Sequence, residues 1–282
     1  MKKSKLARLI AAICCFAMLL TACSSNQTSA ESGGDGSTTA DSEKKVLTYA
    51  IGAETTDLST LYMNNSLYCT SKLVYENLVD FDNGEIVPGL AESWEYNDDQ
   101  TELTFHLRQG VTFHNGEPFN AEAVKTNLEH KQSNPSFYSL KGITDIQEIE
   151  VVDEYTITLH YDHPFYAYLQ DFCWPDVNPM SAPEYIIPGD FQTISGVAGT
   201  GPYIYDEYVA GEYTRFVRNE DYWGETPYWD EIIVKYIPDS TSRLQALQTG
   251  EIDMIYGGTL LTYEEYDQAL AMDGIDGQMA EK

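Results

Sequence analysis

The chain has 282 residues, with 16 Lys and Arg against 45 Asp and Glu, a formal net charge of −29 and a pI near 4.2. A surface this acidic repels phosphate backbones, which argues against nucleic-acid binding. It attracts cationic groups and stays clear of an anionic envelope.

The first elements are for targeting. Met1 to Arg8 carries four positive charges, and Leu9 to Leu20 is an unbroken apolar run of twelve residues. A charged start, a short apolar core and small residues before a cut make a secretory signal. The run is too short for a permanent transmembrane helix. Leu20-Thr21-Ala22-Cys23 resembles the bacterial lipobox, in which the cysteine is acylated and becomes the new N-terminus. That implies removal of residues 1–22, lipidation of Cys23 and an extracytoplasmic chain anchored to the membrane. The remainder holds 12 basic and 45 acidic residues, a formal net charge of −33. Residues 24–45 are Ser, Thr, Gly, Asp, Glu and Lys with almost no apolar content, so 23–45 reads as a lipidated Cys on a flexible tether. Beyond Cys23, only Cys69 and Cys173 remain, as one disulfide or two buried thiols. No cysteine pair has metal-site spacing.

From Val46 the chain reads as mixed α and β. VLTYAI (46–51) is a strand, and Ser66 to Val79 has apolar residues near helical spacing. SWEYN and TELTFHL alternate around the turn Asp98-Asp99-Gln100. Asn120 is the N-cap of AEAVKTNLEHKQ. ITDIQEIEVV and YTITLHY form a hairpin around Asp153-Glu154. Prolines 164, 175, 179 and 183 break the next stretch. Strands resume at YIYDEY, YTRFV and EIIVKYI, and SRLQALQTG and TYEEYDQALAM are helices. Hairpins mixed with single helices predict an α+β (mixed α/β) fold rather than a doubly wound sheet.

No motif for catalysis stands out. There is no GxSxG elbow, no HExxH and no phosphate-cradling glycine loop. None of the five histidines has metal spacing with a carboxylate, so they read as structural or surface residues, with no metal and no cofactor expected. The 21 tyrosines are all in the mature part, and Tyr suits amphipathic ligands such as peptides and sugars. Three segments carry specific turn chemistry. GTGPY (199–203) fixes a tight turn feeding a strand, RNEDYWGETP (218–227) is an aromatic turn, and ALQTGEIDM (246–254) ends a helix at Gly250.

These segments, with LVYENLVDFDNGEIVPGLAESWEY (73–96) and LTFHLRQGVTFHNGEPFNAEAV (103–124), resemble the extracellular solute-binding proteins of family 5, which serve peptide and nickel ABC importers. The likeness runs from about Val46 to the end, and NEDYWGE and DMIYGG look closest to the nickel-binding branch. The resemblance implies a type II periplasmic-binding-protein-like fold, with two lobes closing over a solute. It implies a binding protein rather than an enzyme. Its partners would be a small solute, most simply an oligopeptide, and an ABC permease with its ATPase subunits. A nickel or other metal chelate is the alternative ligand, and a surface interaction module without transport is the alternative of another class.

By the same resemblance the ligand wall includes Leu61 to Leu67, with Tyr62, Met63 and Asn64 as candidates and Tyr138 and Asn178 behind them. Two departures stand out. The nickel branch holds chelate carboxylates with an arginine whose place falls near Asn178-Pro179, yet no arginine lies between Arg108 and Arg215. Family members are also much longer, so residues 46–282 are expected to be the first, N-terminal lobe, incomplete, with the second lobe missing.

Overall fold

The computed structural model describes residues 44–55, 58, 70–164, 167–173, 178–257 and 260–278. The signal, Cys23, the tether, Tyr62, Met63, Asn64 and Cys69 lie outside the described residues. Within them, chain order gives β1 (Val46–Ile51), α1 (Ser71–Val74), β2 (Val79–Asp82), β3 (Glu85–Pro88), β4 (Ala91–Tyr96), β5 (Glu102–Leu107), α2 (Ala121–Ser133), α3 (Lys141–Thr144), β6 (Ile146–Asp153) and β7 (Thr156–Tyr161). There follow β8 (Tyr203–Val209), β9 (Tyr213–Arg218), β10 (Glu231–Tyr236), α4 (Ser240–Gln248), β11 (Met254–Ile255) and α5 (Tyr263–Leu270).

The strands form a five-stranded sheet in the order β11-β1-β10-β9-β8, a four-stranded sheet in the order β4-β5-β7-β6, and the β2-β3 hairpin. In the larger sheet β1 runs parallel to both β10 and β11, while β10-β9 and β9-β8 are antiparallel. The smaller sheet is antiparallel throughout.

Each larger sheet has its own apolar core. Helix α2 packs on β6 and β7, burying Ala121, Ala123, Val124 and Leu128, and Phe105 meets Phe172 edge to face at 5.2 Å. The second core joins Ile51, Leu58, Val74, Tyr75, Phe216, Val234 and Tyr236. Full burial of side chains such as Phe216 and Val234 stabilises by roughly 1.5–3 kcal/mol each before entropy is counted.

Most expected elements are present. Asn120 caps α2, its side chain accepting from Ala123 N at 3.0 Å. Gly250 follows α4 with φ of 71°, the left-handed conformation that a residue just past a helix adopts. The long helix expected to end at Val79 is corrected: among the described residues only the turn Ser71–Val74 is helical, and Val79 opens β2. Tyr75 is extended, with φ −117° and ψ 150°, because Gly201 N bonds to Val74 O at 2.9 Å and the Tyr75 hydroxyl bonds to Leu58 O at 2.7 Å. Tertiary partners thus override the helical spacing. The β2-β3 hairpin was not anticipated. Its signal is the Asn83-Gly84 pair, with φ of 48° and 90°, the positive pair a two-residue hairpin turn requires.

Candidate functional site

Parallel pairing sends the carboxyl ends of β1, β10 and β11 toward one edge of the five-stranded sheet. In open sheets with parallel strands, ligands favour the carboxyl ends. The segment holding Tyr62, Met63 and Asn64 follows β1 in sequence, and its flanking described residues are anchored at this edge. Glu54 accepts from the Tyr208 hydroxyl at 2.5 Å and from Gly211 N at 2.7 Å. The Tyr208 bond, with the Gly211 bond behind it, holds the Glu54 carboxyl below its ordinary range. Leu58 is buried and receives the Tyr75 hydroxyl.

The same edge is braced by Arg243 of α4, a buried residue whose guanidinium donates from Nη1 to Ile237 O and from Nη2 to Leu260 O. At Gly52, the first residue past β1, an added Cβ would stand 2.8 Å from Leu260 Cδ2 and 3.3 Å from Arg243 Nη1, so a side chain there would have to displace the end of Leu260. Tyr256, just past β11, meets Tyr49 edge to face at 5.9 Å and is 42% exposed. The edge therefore offers an aromatic surface on a rigid frame.

Elsewhere, three of the sequence segments singled out above meet at one carboxylate. Glu76 receives the Trp223 indole N–H at 2.7 Å, the Tyr222 hydroxyl at 2.8 Å and the Thr200 hydroxyl at 2.8 Å. Burial holds the Glu76 carboxyl above its ordinary value, against the pull of these hydrogen bonds. His114 Nε2 and Asn219 Nδ2 both reach Gly201 O, at 2.9 and 3.1 Å, and His114 N donates to Gly199 O at 2.8 Å. YEN, FHNGE, GTGPY and RNEDYWG thus form one joint. Turn chemistry in the sequence marks GTGPY and RNEDYWG, but nothing in it marks their meeting at Glu76.

The remaining candidates are far apart in character. Tyr138 follows the short 3-10 turn Pro135–Phe137 and is 75% exposed. Asn178 is fully buried, and its Oδ1 accepts from Lys131 Nζ at 3.0 Å. Lys131 also donates to Pro179 O at 2.6 Å. A cation from α2 therefore reaches the place where no arginine exists in the sequence. Burial pushes the Lys131 ammonium down to about 7. Cys173 is a free, buried thiol, pushed up to about 11 chiefly by burial.

Among the described residues no group of three or more His, Cys, Asp or Glu is placed to hold a metal ion. The model for bacterial extracellular solute-binding proteins, family 5 (middle region), matches residues 85–279. The chain belongs to this family.

Among family relatives, the nickel-binding periplasmic protein of Escherichia coli K12 is 36% identical over 205 residues, which cover 70% of this chain and 38% of that protein. The crystal structure of NikA from Brucella suis with Fe(III)-EDTA superposes with a TM-score of 0.75 at 32% identity, covering 82% of this chain and 47% of that one. The periplasmic binding protein DppA of Helicobacter pylori, solved with the peptide STSA, gives a TM-score of 0.69 at 27% identity, covering 82% and 49%. The fold is thus mixed α/β of the type II periplasmic-binding-protein kind, and the chain spans about 40–50% of the length of these relatives.

Proposed function

We propose that this chain is the first lobe of a solute-binding lipoprotein serving an ABC importer, capturing peptides or similar small solutes outside the membrane and passing them to a permease. In this reading residues 1–22 are the signal, Cys23 carries the lipid, 23–45 are the tether and 46–282 the lobe. The chain binds and releases its solute and catalyses nothing. The observation that supports this reading is the shared carboxyl edge of β1 and β11, where Glu54, a few residues before Tyr62, Met63 and Asn64 in sequence, accepts from Tyr208 and Gly211. Closure over the solute puts the affinity into contacts made only in the closed state.

A metal chelate is the second reading, favoured by one observation: the chain is 36% identical over 205 residues to a nickel-binding periplasmic protein.

Calorimetric titration of the full chain with short peptides, and separately with nickel plus histidine, tests both. Peptide binding that weakens at least ~10-fold in Tyr62→Ala, a loss of about 1.4 kcal/mol, is the expected result. Binding of the nickel chelate alone favours the second reading. Recovery of cleaved peptide, or binding of whole proteins but no small solute, overturns both. Expression of Cys23→Ser in a bacterial host, followed by fractionation, tests the anchor: the variant is expected to leave the membrane fraction.

A further inference from the structure

The sequence holds two Asn-Gly pairs, Asn83-Gly84 and Asn115-Gly116, each followed by glutamate. This pair is open to a reaction with itself. The glycine nitrogen can attack the asparagine side-chain carbonyl, and no side chain on the glycine stands in the way. Asparagine counts among the thermolabile residues. The folded chain treats its two pairs differently.

Asn115-Gly116 is locked at both reacting groups. The Gly116 N–H, the nucleophile of such an attack, donates to Phe113 O at 2.8 Å. Asn115 Oδ1 accepts from Glu117 N at 3.2 Å. Its Nδ2 donates to Glu117 Oε2 at 2.9 Å and to Glu184 Oε2 at 3.2 Å. Attack there would have to break these bonds first.

Asn83-Gly84 forms the exposed tip of the β2-β3 hairpin. Among the described residues nothing accepts from the Gly84 N–H. The Asn83 amide makes one exposed contact, from Nδ2 to Asp82 Oδ2 at 3.2 Å. The hairpin pairs with neither larger sheet, and a two-stranded ribbon by itself is marginally stable. Local opening that lets Asn83 rotate out of its positive-φ turn therefore costs little.

We propose that Asn83 is a site of spontaneous deamidation, set free by the hairpin tip, while the fold protects Asn115. The Gly84 nitrogen bonds to Asn83 Cγ and gives up its proton. The bond from Cγ to Nδ2 breaks, and ammonia leaves with that proton. The resulting succinimide ring takes up one water at either carbonyl and opens. One opening leaves aspartate at position 83. The other leaves isoaspartate, whose backbone runs through the side-chain carboxyl carbon. Both add a negative charge between Asp82 and Glu85. Isoaspartate also lengthens by one backbone atom the turn that joins the paired Asp82 and Glu85. The reaction needs water alone and does not depend on the transport reading.

The test is incubation of the full chain at mildly alkaline pH, then proteolysis and mass spectrometry with isoaspartate separated from aspartate. The expected result is conversion at Asn83 at least ~10-fold faster than at Asn115, with isoaspartate among the products. In guanidinium chloride, which unfolds both pairs, the two rates are expected to come within about 3-fold of each other. An Asn83 that stays intact overturns the proposal, as do equal rates in the folded chain. A rate gap that persists undiminished in guanidinium overturns it too, since the contrast would then lie in local sequence rather than in the fold. Aspartate formed without isoaspartate excludes the ring and has the same consequence.

Discussion

The Trp223 indole nitrogen donates to the Glu76 carboxylate at 2.7 Å across 147 residues of chain. Tyr222 and Thr200 reach the same carboxylate, so one side chain ties α1's exit to the GTGPY turn and to the aromatic turn after β9. Glu76→Ala would leave these donors without their acceptor. We expect a loss of about 3–5 kcal/mol by urea unfolding, since buried donors without partners cost the full desolvation penalty. Glu76→Gln keeps a carbonyl acceptor and relieves the buried charge, so its loss is expected to be about half as large. Equal losses for the two variants would show that packing rather than acceptance matters here.

Gly199 and Gly201 sit where backbones touch. A Cβ on Gly199 would stand 2.0 Å from Val74 O, and one on Gly201 2.7 Å from Val74 C. Backbone cannot swing aside as a flexible side chain does. Gly199→Ala is expected to cost about 3 kcal/mol or more, against about 1 kcal/mol for Gly84→Ala, where φ is +90° but the space is open. Urea midpoints of the two variants compare a steric cost with a conformational one.

Lys131 sets a pH dependence. Burial lowers its folded-state pKa from 10.5 to about 7. Between those values the unfolded chain binds more protons at this site than the folded chain, so stability rises with pH. The contribution is complete above the unfolded value and is lost as pH falls through the folded one. The unmodified chain is expected to gain stability from pH ~7 to ~9.5 relative to Lys131→Met, by several kcal/mol at most. Parallel profiles for the two proteins would mean the ammonium is not desolvated.

Arg243 holds the carboxyl edge of β1 and β11 by a fork. Its two terminal nitrogens reach Ile237 O and Leu260 O, on opposite sides of the β11 connection. Lysine keeps the charge but cannot span both carbonyls. Arg243→Lys is expected to destabilise by about 1–3 kcal/mol, and to weaken solute binding further than stability alone explains. Calorimetry well below the variant's melting temperature separates the two effects.

Much of the fold was legible because it is local. VLTYAI, the Asp153-Glu154 hairpin, the Asn120 cap and Gly250 each depend on neighbours a few residues away, and all form as expected. The Asn83-Gly84 hairpin carries an equally local signal, directly after a stretch whose apolar spacing is helical. The helix through Val79 failed for a different reason. Its apolar residues do fall near helical spacing, yet contacts to Leu58 and Gly201 hold Tyr75 extended. Those partners lie 17 and 126 residues away in sequence.

For the site, the sequence by itself determined the family motifs, the acidity and the absence of an arginine between Arg108 and Arg215. Only the tertiary structure brought Lys131 to Asn178, joined three motifs at Glu76 and left the Asn77 amide unpartnered beside it. Spacing along the chain encodes periodicity and turns, whereas hydrogen bonds and desolvation depend on distances in space. A buried carboxylate and a buried ammonium look like any other charged residues until the chain has folded around them.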